Sequence, residues 1–493
     1  MRSTVDMSKG KPWKLILAFA LPMLLSVTFQ QLYNIADSVI AGQMIGKNAL
    51  AAVTASFPIT MIFISVAMGL SAGFSVVCGR IYGEKNYNKL KGVVSSAFIL
   101  SLLVAVALTV AGFLCAEPIL LLLKTPETVF ADSVAYLQYC VIGVVFTFIY
   151  NACTATFQAL GNSKIPLFFL IFSTVFNVIL DVIFVGVFGW GVWALSLATV
   201  IAQGVACTLS TLVLINLLHN VDKENQSTEK KVNFVKRFIG ATKVVFASLV
   251  AYIFGKKPYK RVYFDAVKEI MTMGIPSIIQ RSTVAIGQLF IQSLVNSFGA
   301  DVLAGYGAGQ KIQIFCINLI VTFGGALSVF VSQNIGAGRR DRLKEGIYST
   351  GIMAGIMTAV IVMVVLLLPA PLVSLFVEGE GTTAVIETGV KMLVIVSPFY
   401  VFLTIKSIYD NVFMGASRAL GFTIGTAVDL IVRVAIAFIL VDITGVSDGI
   451  WWSWPIGWAI GMASVLITYY FFDRKIILGL NKKAEKEVAT TNE

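Results

Sequence analysis

Long apolar runs, each about the 20 residues that carry a helix across a bilayer, recur from one end of this chain to the other. No other feature constrains the fold as tightly. In hydrocarbon every backbone N–H and C=O must be satisfied internally, so a spanning run is either a helix or part of a closed barrel. Barrel strands show short alternating segments, and these runs do not alternate. Only 13% of the 493 residues are charged and 57% are hydrophobic. The expected class is therefore an all-α polytopic membrane protein, and a water-soluble chain is excluded.

The runs place spans at 15–42, 51–79, 93–115, 132–158, 165–188 and 191–218. After a long connection come 266–297, 302–335, 347–369, 386–414, 419–441 and 449–472, which makes twelve. The implied organisation is a bundle over 1–218, a connection over 219–265, a second bundle over 266–473 and a tail over 474–493. The first run follows a short basic segment, as a signal peptide would. No small-residue cleavage site ends it, so it reads as a retained helix. One apolar stretch, Phe238 to Phe254, is interrupted by Lys243. It reads as an interfacial amphipathic helix, because a thirteenth span would invert every later loop.

The net charge of +11 is distributed over alternate connections. Arg80, Lys85, Lys89 and Lys91 follow the second span; Arg339, Arg340, Arg342 and Lys344 follow the eighth; Arg474 and Lys475 follow the last. This is the positive-inside pattern, not a nucleic-acid footprint, and it puts both termini in the cytoplasm of a cell-membrane protein. No GxxxxGK[ST] loop occurs. Gly336-Ala-Gly338 ends a span and reads as a turn, so no nucleotide site is expected. The six cysteines lie inside apolar segments with no ligand spacing and read as small hydrophobes. His219 is the single histidine, which excludes a histidine metal cluster.

The chain repeats itself. Gly46, Gly83, Leu90 and Lys91 recur as Gly299, Gly336, Leu343 and Lys344, and Gly161-Asn-Ser-Lys164 recurs as Gly415-Ala-Ser-Arg418. Six spans per half give both halves the same orientation. The expectation is two bundles related by a pseudo-two-fold axis along the membrane normal, with a cleft between them suited to alternating access.

Charges inside the spans differ between the halves. Lys406 and Asp410 are four apart on one helix, and Asp429 and Arg433 four apart on another, so each pair can neutralise itself. These read as structural ion pairs. Arg281 and Lys311 have no local carboxylate, which leaves open a reach to Asp410 or Asp429, or to an anionic substrate group. In the first half, Asp37 and Asp181 have no local cation. Gln30, Asn34, Asp37 and Ala41 share a helix face, and Asn177 precedes Asp181 by one turn. Intramembrane carboxylates are costly, and two at one depth cannot both stay ionised; a proton or a bound Na⁺ would resolve the conflict. The repeat places Phe290 or Ile291 opposite Asp37, and Ala435 opposite Asp181, so the ion site belongs to the first half only. Asn151, Thr199, Gln203 and Gln280 are candidate substrate contacts or helix–helix hydrogen bonds.

Gln31-Leu-Tyr-Asn-Ile-Ala-Asp37 with Gly42 and Gly46, Gly83 to Lys91, Gly161-Asn-Ser-Lys164, and Asn177-Val-Ile-Leu-Asp181 occur in this order along the chain. They are followed by Gly189-Trp-Gly-Val-Trp193 through Gln203, Ile275-Pro276 with Gln280, and the loop at 336–344. In these features the chain resembles the multidrug and toxic compound extrusion (MATE) family over nearly its whole length. The resemblance implies an antiporter, not an enzyme, that exports small amphipathic compounds in exchange for H⁺ or Na⁺. It implies an ion site at Asp37, Asn177, Asp181 and Thr199, with Tyr136 and Asn151 nearby and Gln31, Asn34, Gln203 and Gln280 as further candidates. It implies no cofactor beyond the coupling ion, and we expect a monomer. A family branch with an acidic residue on the seventh span is not matched, because the helix after Pro276 carries Gln280 and Arg281. A lipid-linked precursor flippase of the same superfamily is the alternative; its fourteen spans disagree with twelve. A major-facilitator transporter is a further alternative, whose loop signature is absent from 79–92.

Overall fold

The computed structural model describes residues 5–40, 44–45, 47–122, 125, 127–224, 263–376 and 383–480. The side chains of residues 34–39 lie outside the described set. The proposed interfacial helix at 238–254 and most of the 219–265 connection also lie outside it.

Helices account for the described chain. The first six spans are α1 (Pro12–Ile40), α2 (Lys47–Gly83), α3 (Tyr87–Leu122), α4 (Glu127–Ala159), α5 (Lys164–Asp181) and α6 (Trp193–Glu224). The second six begin with α7 (Phe264–Asn296), α8 (Ala300–Gly336) and α9 (Leu343–Leu367). A short α10 (Pro369–Ser374) precedes α11 (Thr383–Val396), which runs through one 3₁₀ turn into α12 (Tyr400–Gly415). The chain closes with α13 (Ala419–Thr444), α14 (Asp448–Ile467), a π turn and α15 (Arg474–Ile477). The protein is thus an all-α polytopic membrane protein of twelve spans, α11 and α12 together making the tenth. Among the described residues, 11 helices are long and apolar enough to cross a bilayer. The twelfth span is α7, whose hydropathy is lowered by Asp265, Lys268, Glu269 and Arg281.

Left-handed glycines end two of the helices, the first in the turn expected at Gly336-Ala-Gly338. Gly338 adopts φ +68° just past α8, and Gly445 adopts φ +67° just past α13. Both are left-handed conformations that cost glycine nothing. The apolar outer faces of the helices support the membrane reading. On α3, Leu103, Val110, Leu114 and Leu122 are each more than half exposed. In water such a stripe would be an unusually large apolar patch; against lipid tails it costs nothing. Cys115 is exposed on the same helix, while Cys78, Cys153, Cys207 and Cys316 are buried.

The described chain forms two compact units. The first comprises residues 1–6 and 25–278, the second residues 7–24 and 279–493. The division runs through helices: α1 gives its first half to the second unit, and α7 gives its first half to the first unit.

In the first unit that half-helix of α7 is held by its charges and by close packing. Arg80 at the end of α2 binds Glu269 through two nitrogens, at 2.5 and 2.6 Å, a bidentate pairing. Tyr263 N–H donates to Ser96 Oγ at 2.9 Å. In the second unit the segment before α1 is held by polar groups at the α8–α9 turn. Met7 N–H donates to Gln333 Oε1 at 2.8 Å, and Arg342 Nη1 donates to Met7 O at 2.7 Å. Arg342 also donates to Gly10 O. Arg342, assigned by sequence to a basic loop, is therefore a buried structural anchor.

Small residues set the tightest helix contacts in the second unit. A Cβ at Gly305 would come 2.7 Å from Thr388 Cβ, and one at Gly309 would come 3.0 Å from Met392 Sδ. This Gly-xxx-Gly face lets α8 approach α11 closely, the usual route to helix association in lipid.

Candidate functional site

In the first unit, Thr199 on α6 is the hub of a polar cluster. Its Oγ1 receives the Asn177 Nδ2 amide from α5 at 3.2 Å and lies 3.1 Å from Tyr33 Oη of α1. It donates in turn to Leu195 O at 3.1 Å. Three helices thus meet at one hydroxyl. Asn177 is buried, and Asp181, one turn further along α5, is fully buried. Immediately after Asp181 the helix widens to a π turn over Val182–Val187. Such bulges realign the helix face and recur at functional sites. The cluster therefore offers carboxylate, amide and hydroxyl oxygens in a low-dielectric setting, the donor set for a proton or a hard monovalent cation.

Of the residues expected here, Asn177, Thr199 and Asp181 are brought to one end of α5 and α6. The side chains of Asp37 and Asn34 lie outside the described residues, so the Asp37–Asp181 pairing is not visible. Gln31 is half-buried on α1. Tyr136 packs on the neighbouring apolar cluster that contains Ile40, Val185 and Leu195. Asn151 and Gln203 belong to a separate α4–α6 contact: Thr147 Oγ1 donates to Gln203 Oε1 at 2.6 Å, and Asn151 Nδ2 donates to Thr147 O at 2.8 Å. Gln280 lies in the second unit, where its Nε2 donates to Thr426 Oγ1 at 2.7 Å. Tyr33 and Thr147 were not singled out by sequence. Tyr33 stands four residues before Asp37, and Thr147 four before Asn151. The same i,i+4 spacing that marked the other candidates would have found both.

The second unit holds a different arrangement. Lys406 Nζ donates to Asp410 Oδ2 at 2.8 Å, as the i,i+4 spacing predicts. Arg433 Nη2 donates to Asp429 Oδ1 at 2.6 Å. Lys406 also lies 3.9 Å from Asp429 Oδ2, which joins the two pairs across α12 and α13. All four side chains are buried, each no more than 9% exposed. Helix α14 closes over them with a second Gly-xxx-Gly face. A Cβ at Gly461 would stand 2.8 Å from Asp429 Cβ and 3.1 Å from Lys406 Cε. A Cβ at Gly457 would stand 2.9 Å from Arg433 Cβ. The Arg433 guanidinium lies 4.4 Å from the Trp454 ring centroid, a desolvated cation–π contact. Lys311, open from sequence, sits over the Phe376 ring at 5.4 Å.

Comparison with known proteins agrees with these observations. The MatE family model matches twice, at residues 22–183 and 276–439, once in each half of the chain. A probable multidrug resistance protein of Bacillus subtilis strain 168, YoeA, is 27% identical over 483 residues, 96% of each chain. An FAD transporter of Shewanella oneidensis is 22% identical over 340 residues, 68% of each chain. A crystal structure of MATE in complex with MaL6 superposes with a TM-score of 0.81 at 20% identity, over 97% of this chain and 99% of that one; this likeness concerns the fold alone. The doubled match, the twelve helices and the intramembrane polar clusters have one common reading: this chain is a membrane transporter of the MatE family.

Proposed function

We propose that the protein is a secondary active antiporter that exports small amphipathic, cationic compounds in exchange for H⁺ or Na⁺. The coupling ion binds in the first unit, at Asp37, Asn177, Asp181 and Thr199. One observation carries this reading: the Asn177 amide and the Tyr33 hydroxyl converge on Thr199 beside a fully buried carboxyl, Asp181. Stability alone would favour apolar side chains at that depth, because an intramembrane carboxyl costs free energy unless it is used. Support for export of drug-like compounds comes from the Bacillus subtilis relative, a probable multidrug resistance protein. The basic connections support a cytoplasmic location for both termini in the cell membrane, and the proposed acting unit is a monomer.

The ion enters by protonating or coordinating the Asp181 carboxylate, while Asn177 and Thr199 supply neutral dipoles that hold it. Proteoliposomes with separate H⁺ and Na⁺ gradients test this with a cationic dye. Asp181→Asn is expected to reduce gradient-driven dye movement to background without loss of folded protein. The gradient that drives the unaltered protein identifies the ion. Full gradient-driven transport by Asp181→Asn would sink the reading.

A further inference from the structure

The second unit contains a run of buried polar groups that no helix contact satisfies. Gln313 on α8 is 1% exposed, yet neither its amide nitrogen nor its oxygen has a hydrogen-bond partner among the described residues. The same holds for Tyr400 Oη, Trp451 Nε1, Trp454 Nε1, Arg433 Nε and Asp410 Oδ1, all on residues at most 6% exposed. Each such group in a lipid-embedded bundle is costly unless it meets a polar partner. Native proteins rarely leave several together; internal water is the usual partner.

Tyr400, Trp451 and Trp454 share one core cluster, and Arg433 and Asp410 connect to it through Trp454 and the ion pairs. Gln310 Nε2 donates to Tyr306 Oη at 2.9 Å, and the Tyr306 ring stacks on Trp451 at 5.6 Å. Trp454 lies 5.7 Å from Trp458, which lies 5.7 Å from Tyr400. Trp454 meets Arg433, and Arg433 leads through Asp429 and Lys406 to Asp410. The series begins near the end of the unit that carries the Gly445 turn and finishes at a carboxylate oxygen with no partner.

We propose that the second unit encloses a file of internal water leading to Asp410, and that Asp410 takes up a proton from it and releases Lys406 to Asp429. The step balances simply. A hydronium gives its proton to Asp410 Oδ1, the carboxylate lone pair forms the new O–H bond, and water remains. The network then changes from two cations with two anions to two cations with one. The Lys406 ammonium, held by Asp410 at 2.8 Å, loses that charge partner and moves the short distance to Asp429, already 3.9 Å away. Among the described residues, the charged groups in the ion-pair network at Asp410 are Lys406 on its own helix and Asp429 with Arg433 on α13. Helix α14 presents Gly457, Gly461 and Val465 to this network, and α8 meets α12 through Gly324 beside Asn411 and Ser407; neither brings a charge. The proposal is independent of ion coupling in the first unit.

Two measurements on the purified full-length chain test it. Radiolytic labelling in H₂¹⁸O marks side chains that touch water, internal water included. Tyr400, Trp451 and Trp454 are expected to be labelled as readily as the exposed Trp452, despite their burial; labelling at background would overturn the water file. Infrared difference spectra between neutral and acidic pH report new carboxylic acid. A protonated-carboxyl band is expected that is lost in Asp410→Asn and retained in Asp181→Asn. Asp410→Glu, which keeps a carboxyl, moves the band instead, and serves if the Asn variant fails to fold. Spectra in which no band is lost in Asp410→Asn and none moves in Asp410→Glu would overturn the assignment; a band lost only in Asp181→Asn belongs to the first unit. Because both readouts are independent of transport, they separate this proposal from the coupling role of Asp181.

Discussion

The two units bury polar chemistry in opposite ways. The first gathers neutral groups, Asn177, Tyr33 and Thr199, beside one carboxyl. The second gathers four charges whose formal sum is zero, under a glycine face. A hydroxyl or amide needs one or two hydrogen bonds to be buried, whereas a charge needs an opposite charge at close range. The first arrangement sets a buried carboxyl, Asp181, among neutral dipoles. In the second, Lys406 and Arg433 already occupy the place of external cations. One repeated fold thus holds a largely neutral polar cluster in one half, the proposed ion site, and a charge-paired network in the other.

The largest expected effect probes the self-neutralised network. Lys406→Met leaves Asp410 buried without its partner, and removing one member of a buried pair costs about 3–5 kcal/mol. Thermal unfolding of the detergent-purified variant measures this. The double variant Lys406→Met with Asp410→Leu is expected to recover most of the loss. A single variant as stable as the parent would mean that the network contributes no charge balance.

A medium effect tests the glycine face. Gly461→Val puts a branched side chain where a Cβ already stands 2.8 Å from Asp429 Cβ. Overpacking of this kind costs about 1–3 kcal/mol. Val at Gly307, which meets nothing within 4 Å, is expected to be far milder. Equal losses at the two positions would refute the idea that α14 is shaped to cover charges.

The smallest effect sharpens the contrast from the other side. Thr199→Val removes the hub hydroxyl, whose hydrogen-bond partners Tyr33, Asn177 and Leu195 O are neutral, and a lost neutral hydrogen bond costs about 0.5–1.5 kcal/mol. Unfolding should shift slightly while gradient-driven transport falls markedly. If Thr199→Val destabilised the protein as much as Lys406→Met, the distinction between the two units would collapse.

Much of this was legible in the residues. The i,i+4 spacing of Lys406 with Asp410 and of Asp429 with Arg433 defined two ion pairs before any coordinates, because helical geometry is local. The step from Asn177 to Asp181 was equally readable. The link from Lys406 to Asp429 was not, since it depends on how α12 and α13 are rotated against each other. Nor was Thr199 identifiable by spacing as the meeting point of α1, α5 and α6. Arg342 illustrates the limit: its place in a basic loop suggested an exposed topogenic charge, and the tertiary structure buries it against the carbonyls of Met7 and Gly10.

By itself the sequence determined the class, the number of spans, the repeat and the helix-local charge pairs. Those follow from hydrophobic length, loop charge and a 3.6-residue period, which act within a segment. Only the tertiary structure decided that α1 and α7 are each divided between units, that two ion pairs fuse into one network, and that Gly457 and Gly461 lie against it. Those outcomes depend on helix rotation and close approach, and packing between segments sets both.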